Sequence, residues 1–273
     1  MSGFIYKNKS TDTILESTRL ILVSFSQLES ITGSSRESVV GNSTLTRQFP
    51  NEYGTMSSAL TFNYALIKSD KTPFTVEEQI EVERWLSSPK YSSKLQIIDC
   101  DGIEDTLYYG KFIKTDWYPC VGGWYGVAFT FENKHAYPHR HFEHTFNING
   151  NDTITFNCQS DELEEYIYPI VMITAQDSTE ELTITNRTDN NNSISMRCLD
   201  RIENVMDCNL CMLYDRGNKN LIGFDDVGWS DVGNIYWIRL VPGENIFDIT
   251  GATGTVQITF SYDAPYKKVG GWL

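Results

Sequence analysis

The chain has 273 residues, 40% of them hydrophobic, enough to build packed cores and to exclude a disordered or linker-type protein. Asp and Glu outnumber Lys and Arg 36 to 22, giving a net charge of -14. With no basic run anywhere, a protein that grips nucleic acid through its phosphates is excluded as well.

The N-terminus, MSGFIYKNKSTDT, has no apolar segment of signal type, and the early apolar run from Leu20 to Val23 is too short to cross a membrane. A soluble protein made in the cytoplasm is expected. In such a setting the six cysteines, Cys100, Cys120, Cys158, Cys198, Cys208 and Cys211, stay reduced. The sequons at Asn42, Asn151 and Asn186 have no role there.

Through the first half, Tyr and Phe fall into short alternating runs bounded by Gly, Asn, Asp or Pro, the pattern of half-buried strands. Leu60 to Leu66 places Leu60, Phe62, Tyr64 and Leu66 on one face, and Tyr125 to Phe131 does the same with Tyr125, Val127, Phe129 and Phe131. KLQIID and YYGKFIKTDWY read as strands between them. One helix is expected, TVEEQIEVERWL over 75–87, with Thr75 and Glu78 forming a capping box and Glu77, Glu78 and Glu81 favoured by the helix dipole. Val82, Trp85 and Leu86 share its core face, and Pro89 limits its extension.

The histidines all lie in HAYPHRHFEH, His135 to His144. As a metal site the stretch is poorly arranged. Pro138 opposes a helix, and an extended chain puts His139 and His141 on one face and His144 on the other. A polar interdomain linker is the better reading.

From residue 145 the pattern is strand and turn only. TFNINGNDTITFNC reads as a hairpin turning at Asn149 to Asp152, followed by strands in YIYPIVMIT, LTITN, SISMRCL, VMDCNLCMLYD and NIYWIRLV. A turn at Pro242 to Asn245 and the strands NIFDIT and TVQITFSYD complete it, the spacing of a β-sandwich. If VMDCNLCMLYD is one strand, Cys208 and Cys211 point to opposite faces and cannot share a metal.

No nucleophile elbow, phosphate loop or zinc-protease motif occurs. The acid pairs Asp99/Asp101, Asp161/Glu162 and Glu164/Glu165 read as solvated loop residues. Gly122-Gly123-Trp124 and Gly270-Gly271-Trp272 read as turns beside a packed tryptophan. No catalytic, cofactor-binding or metal-binding residue is assigned.

Taken in order, FIYKNKSTDT, LTFNYALIKSDKTPF, TVEEQIEVERWL, SSPKYSSKLQIID and YYGKFIKTDWYPCVGGWYGVAFTFENKHAYPH resemble the N-terminal part of the distal tail protein family of long-tailed bacteriophages. YIYPIVMIT, LTITN and PGENIFDITGATGTVQITFSYDAPY resemble its C-terminal part. The resemblance implies a mainly β protein. Residues 1–138 would form a ring-forming split β-barrel with the helix 75–87, residues 139–144 a linker, and residues 145–273 a galectin-like β-sandwich.

It further implies a structural virion protein at the distal end of the tail. A homo-hexameric ring would join the major tail tube protein to the tail-tip hub and help organise receptor-binding proteins, without enzymatic activity, cofactor, membrane contact or specific nucleic acid binding. The stretch from Ser30 to Pro50 falls where the family has a long loop or arm contributing to ring contacts. Six copies carry a charge of about -84, and acidic residues along the channel would keep passing DNA from adhering. The H-x-N-x-R and W-x-x-E pattern of true galectins is missing, so sugar binding does not follow from the fold name. The alternative, a carbohydrate-binding adhesion module, would need exposed aromatic platforms such as Trp229, Trp237 or Trp272.

Overall fold

Alternation of apolar and polar residues dominates the chain, and in a computed structural model it becomes strand almost throughout. The structure describes residues 3–23, 37–40, 52–55, 61–98, 105–135, 137–163, 165–177, 179–198, 203–215 and 233–266. Two compact units result, one running through His139 and one from Arg140 to Tyr266.

The first unit contains β1 (Gly3–Tyr6), β2 (Lys9–Ser10), β3 (Leu20–Val23), β4 (Glu37–Val40), β5 (Glu52–Thr55), β6 (Thr61–Lys68), α1 (Val76–Ser87), β7 (Ser93–Ile98), β8 (Thr106–Cys120) and β9 (Gly123–Asn133). The antiparallel run β2-β1-β7-β8-β9-β6-β3 forms its sheet. Gly110 sits where β8 pairs with β7 and β9 at once, and a Cβ there would come within 2.0 Å of the Glu132 carbonyl oxygen. Only glycine permits that approach. Within the stretch Ser30 to Pro50, only Glu37–Val40 is described, and it forms a two-stranded ribbon with β5. The rest of that proposed arm lies outside the described residues.

The helix forms where expected. The Thr75 hydroxyl accepts from the Glu78 amide, and the Glu78 carboxylate accepts from the Thr75 amide at 2.8 Å, closing the capping box. Val82, Trp85 and Leu86 are buried; Trp85 stacks on Phe4 at 5.0 Å and its indole N–H donates to the Tyr6 carbonyl at 2.9 Å. Phe112 anchors the aromatic core behind them, with Tyr6, Phe129 and Phe131 at ring distances of 4.9, 5.0 and 5.1 Å.

The second unit contains β10 (His139–Asn149, which begins one residue before the unit boundary), β11 (Asp152–Cys158), β12 (Ile170–Ala175), β13 (Thr179–Asn186), β14 (Asn192–Cys198), β15 (Glu203–Asp207), β16 (Met212–Asp215), β17 (Gly243–Thr250) and β18 (Thr255–Pro265). Its sheets are β16-β15-β12-β18-β10 and β11-β17-β13-β14. Val171, Ile173 and Phe260 of the first and Ile184, Phe247 and Phe156 of the second meet in one core, with Phe260 5.0 Å from both Phe156 and Phe247. This is a β-sandwich.

Three expectations are corrected here. The turn at Asn149 to Asp152 forms, with Gly150 at φ +81°, but β10 and β11 belong to opposite sheets and make no hairpin. Both strands carry an apolar face that needs the same core, so the chain arches across it and sets Phe146 against Phe156 at 5.8 Å. VMDCNLCMLYD is a hairpin, with Asp207 opposite Met212 and a turn at Cys208 to Cys211 whose amides at Asn209 and Leu210 donate to the Asp207 carboxylate. NIYWIRLV buries alternate residues, Ile238 and Leu240, yet forms no regular strand. Its bonds go to Ser195, to side chains and, through Leu240, to an isolated bridge with Ile167.

Helix placement makes two costs separable. Thr75→Ala removes one cap bond and lowers stability by about 1 kcal/mol. Glu78→Ala also strands the buried Lys68 ammonium and lowers it by about 3–5 kcal/mol. Urea unfolding followed by circular dichroism measures both, and equal losses would contradict the structural role of the ion pair.

Candidate functional site

The four histidines do not converge. Residues 139–144, expected to be a linker, are strand from end to end and form the first half of β10. Their alternation is the reason, since Phe142 and His144 pack on Tyr262 of β18 at ring distances of 5.6 and 5.9 Å. His135 and His139 stand edge-to-face with Tyr109 at 5.9 and 5.3 Å and with each other at 4.9 Å. His141 Nδ1 lies 2.7 Å from Asp263 Oδ1. His144 stacks on Phe156 at 4.7 Å, and its Nε2 is 3.2 Å from the Tyr262 hydroxyl. Among the described residues, no group of three or more His, Cys, Asp or Glu is placed to hold a metal ion.

Cys208 is buried, which pushes its thiol up to about 12, while Cys211 is exposed at φ +54° in the turn. A thiol so raised is not a nucleophile at neutral pH. The same burial lifts Cys198 to about 12 and raises Cys158. Asp161 and Glu165 are exposed. Asp99, Asp101, Glu164, Trp229 and Trp272 lie outside the described residues, and Trp237 packs partly buried against the sandwich core.

Three polar constellations escape sequence reading. In the first unit Lys68, 5% exposed, lies 3.0 Å from Glu78 Oε1. Glu83 accepts the Trp117 indole N–H at 2.7 Å and the Ser87 hydroxyl at 2.8 Å. In the second unit the Asp189 carboxylate takes a bidentate pair from Arg239 at 2.7 and 2.9 Å together with the Tyr236 hydroxyl. Arg239 holds the Asp189 carboxyl below the usual carboxylate range, and burial raises the Tyr236 phenol. Arg239 also covers the Tyr166 ring at 4.1 Å.

Asn186 closes this last network, donating to the Arg239 carbonyl at 3.0 Å and accepting from the Thr188 and Asp189 amides. At 1% exposure it is inaccessible as a glycosylation acceptor. The local Asn-x-x-Asp turn is the only sequence signal, since Tyr236 and Arg239 lie about fifty residues away. Each of the three constellations is held by partners within its own unit.

Exposed apolar residues form a different feature. At the tip of the β8–β9 hairpin Val121 is 98% exposed, with Tyr118 and Trp124 beside it, and the outer face of α1 shows Val76 and Ile80. Phe74 bridges to Trp124 through a 2.7 Å backbone bond, fixing the tip at the start of the helix. Such a corner suits contact with another protein.

Comparison with known proteins points the same way. Residues 1–135 match a family model described as a phage tail protein N-terminal domain, and residues 136–262 match one described as a phage tail C-terminal domain. Similar solved structures include the Dit (gp 19.1) protein of phage SPP1, described as a paradigm of the hub adsorption apparatus in phages infecting Gram-positive bacteria. Its TM-score is 0.56 at 12% identity, over 96% of this chain and 99% of that one. A chain of the phage p2 baseplate in its activated conformation with Ca gives 0.55 at 9% identity, over 98% and 100%. The same baseplate with Sr gives 0.52. At such identities the likeness is one of fold. No curated protein matches by sequence.

Burial lowers the His144 pKa below its ordinary value of 6.5. The sign follows: the ring is favoured neutral in the fold, so its contribution is complete above pH 6.5 and is lost as pH falls below it. Thermal melts at pH 7.5 and 5.0 will show a smaller acid-induced drop for His144→Phe, which keeps the stack, than for the wild type. Equal drops would refute the assignment. Asp189→Asn will cost about 2–3 kcal/mol in denaturant melts, less than for a fully buried pair because the Arg239 side chain is 32% exposed.

Proposed function

The chain belongs to the phage tail protein family, and from that premise we propose that it is the distal tail hub of a long-tailed phage. Six copies close a ring at the end of the tail tube, which the tail-tip hub continues and on which receptor-binding proteins are organised. Residues 1–138 form the ring, as a split β-barrel carrying the helix 75–87. Residues 145–273 form a galectin-like sandwich, and residues 139–144 run into it as the first half of β10. The protein is assembled in the host cytoplasm and works as a scaffold, with no catalytic residue, cofactor or metal.

The observation that carries this reading is the end-to-end fold likeness to the SPP1 Dit protein, a hub protein by its own description, which leaves neither chain with a large unmatched part. A net charge of -14 per copy suits an open channel through which DNA passes without binding. The polar constellations support a scaffold, because each ties elements of its own unit together.

Ring formation is tested by the native mass of the purified protein from light scattering over a wide concentration range. Six copies of a 31.2 kDa chain give about 187 kDa. A single 31 kDa species at every concentration would count against the ring.

A further inference from the structure

We propose that one copy contacts the next by seating its hairpin-tip corner, Tyr118, Val121 and Trp124 with Val76 and Ile80 of α1, in the groove that the next copy forms at Ile5, Lys7 and Lys94. The proposal rests on the ring reading above and names the two surfaces it would use.

The corner projects. Val121 is 98% exposed, Val76 64%, Tyr118 49%, Ile80 45% and Trp124 40%. Helix α1 thus has a second apolar stripe at i, i+4 besides the core face of Val82, Trp85 and Leu86. A Cβ on Gly123 would lie 2.7 Å from Pro73, so the tip is held close against the segment leading into the helix and is presented as a firm shape.

The groove is its counterpart, a recess of about 540 Å³ lined by Ile5, Lys7, Asn8, Ser93, Lys94 and Gln96. Phe4 turns inward and stacks on Trp85 of α1, so Ile5, the next residue of β1, faces the opposite side of the strand. The recess at Ile5 therefore opens on the side of β1 away from α1. A head-to-tail contact that closes into a ring needs two unlike patches on different sides of one subunit.

Charge selects the same pair. Two copies at -14 repel, so self-contact is favoured where carboxylates are missing or meet lysines. The tip, WYPCVGGWYG from Trp117 to Gly126, contains no charged residue, the α1 part of the corner carries the exposed Glu77 and Glu81, and the groove lining, among the described residues, contains two lysines and no acid. Lysine ammonium groups over Trp and Tyr rings, with their methylene stems against Val121, give an attraction that a carboxylate-lined recess would not.

The test is a cross-link in the full chain, with Cys100→Ser, Cys120→Ser and Cys211→Ser replacing Cys100 and the cysteines exposed among the described residues. In that background Val121→Cys plus Lys94→Cys is expected, on mild oxidation, to give a non-reducing ladder at multiples of 31 kDa rising to six, while neither single variant gives a ladder. Circular dichroism confirms that the fold is kept. If the double variant gives no ladder while the wild type scatters at about 187 kDa, the ring stands and this contact is wrong. If there is no ladder and the wild type stays at 31 kDa, both readings fall. Dimers from Val121→Cys alone would mean a tip-to-tip contact and overturn the proposal.

Discussion

The carboxylate of Glu78 ties the first unit together. Its Oε2 accepts the Thr75 amide at the start of α1, and the same group faces the Lys68 ammonium at the end of β6, which is 5% exposed. A lysine so placed needs its counter-charge, and the carboxylate that pairs with it at 3.0 Å lies where the helix begins. The helix start is therefore bound to the end of a strand, and two turns later Trp85 lands on Phe4 and Tyr6. From that placement follow the outward direction of Val76 and Ile80 and the seat of the β8–β9 tip against Pro73 and Phe74.

The second unit is organised by a different necessity. Its strands present one apolar face each, and a sheet with one apolar face needs another sheet. The arch at Gly150 carries the chain between the two sheets, and Phe156, Phe247 and Phe260 lock them. Charged and polar groups that this packing encloses are matched locally: Asp189 has Arg239 and Tyr236, while the Asn245 amide closes the turn at Pro242 through Val241 and Gly243. In the resulting sandwich His144 and the buried Cys158, Cys198 and Cys208 serve packing.

A phage tail protein of the proposed kind needs surfaces that recognise copies and neighbours. Both units have packed apolar cores, and the first carries exposed aromatic and aliphatic residues at the β8–β9 tip and on the outer face of α1. Among the described residues, no group of three or more His, Cys, Asp or Glu is gathered to hold a metal ion.

By itself the sequence determined the element types, the helix and its cap, and the tail-family resemblance. These depend on local periodicity and on the Thr75 and Glu78 side chains only three residues apart, interactions that any reading along the chain contains. Tertiary structure alone decided that TFNINGNDTITFNC is an arch rather than a hairpin, that residues 139–144 are strand rather than linker, and that NIYWIRLV never joins a regular ladder. The reason is physical. A turn specifies that the chain reverses, but which sheet receives the next strand depends on partners far away, such as Phe260 for Phe156 and Asp189 for Arg239. Side-chain periodicity is the same whether the backbone hydrogen bonds go to a neighbouring strand or to scattered groups.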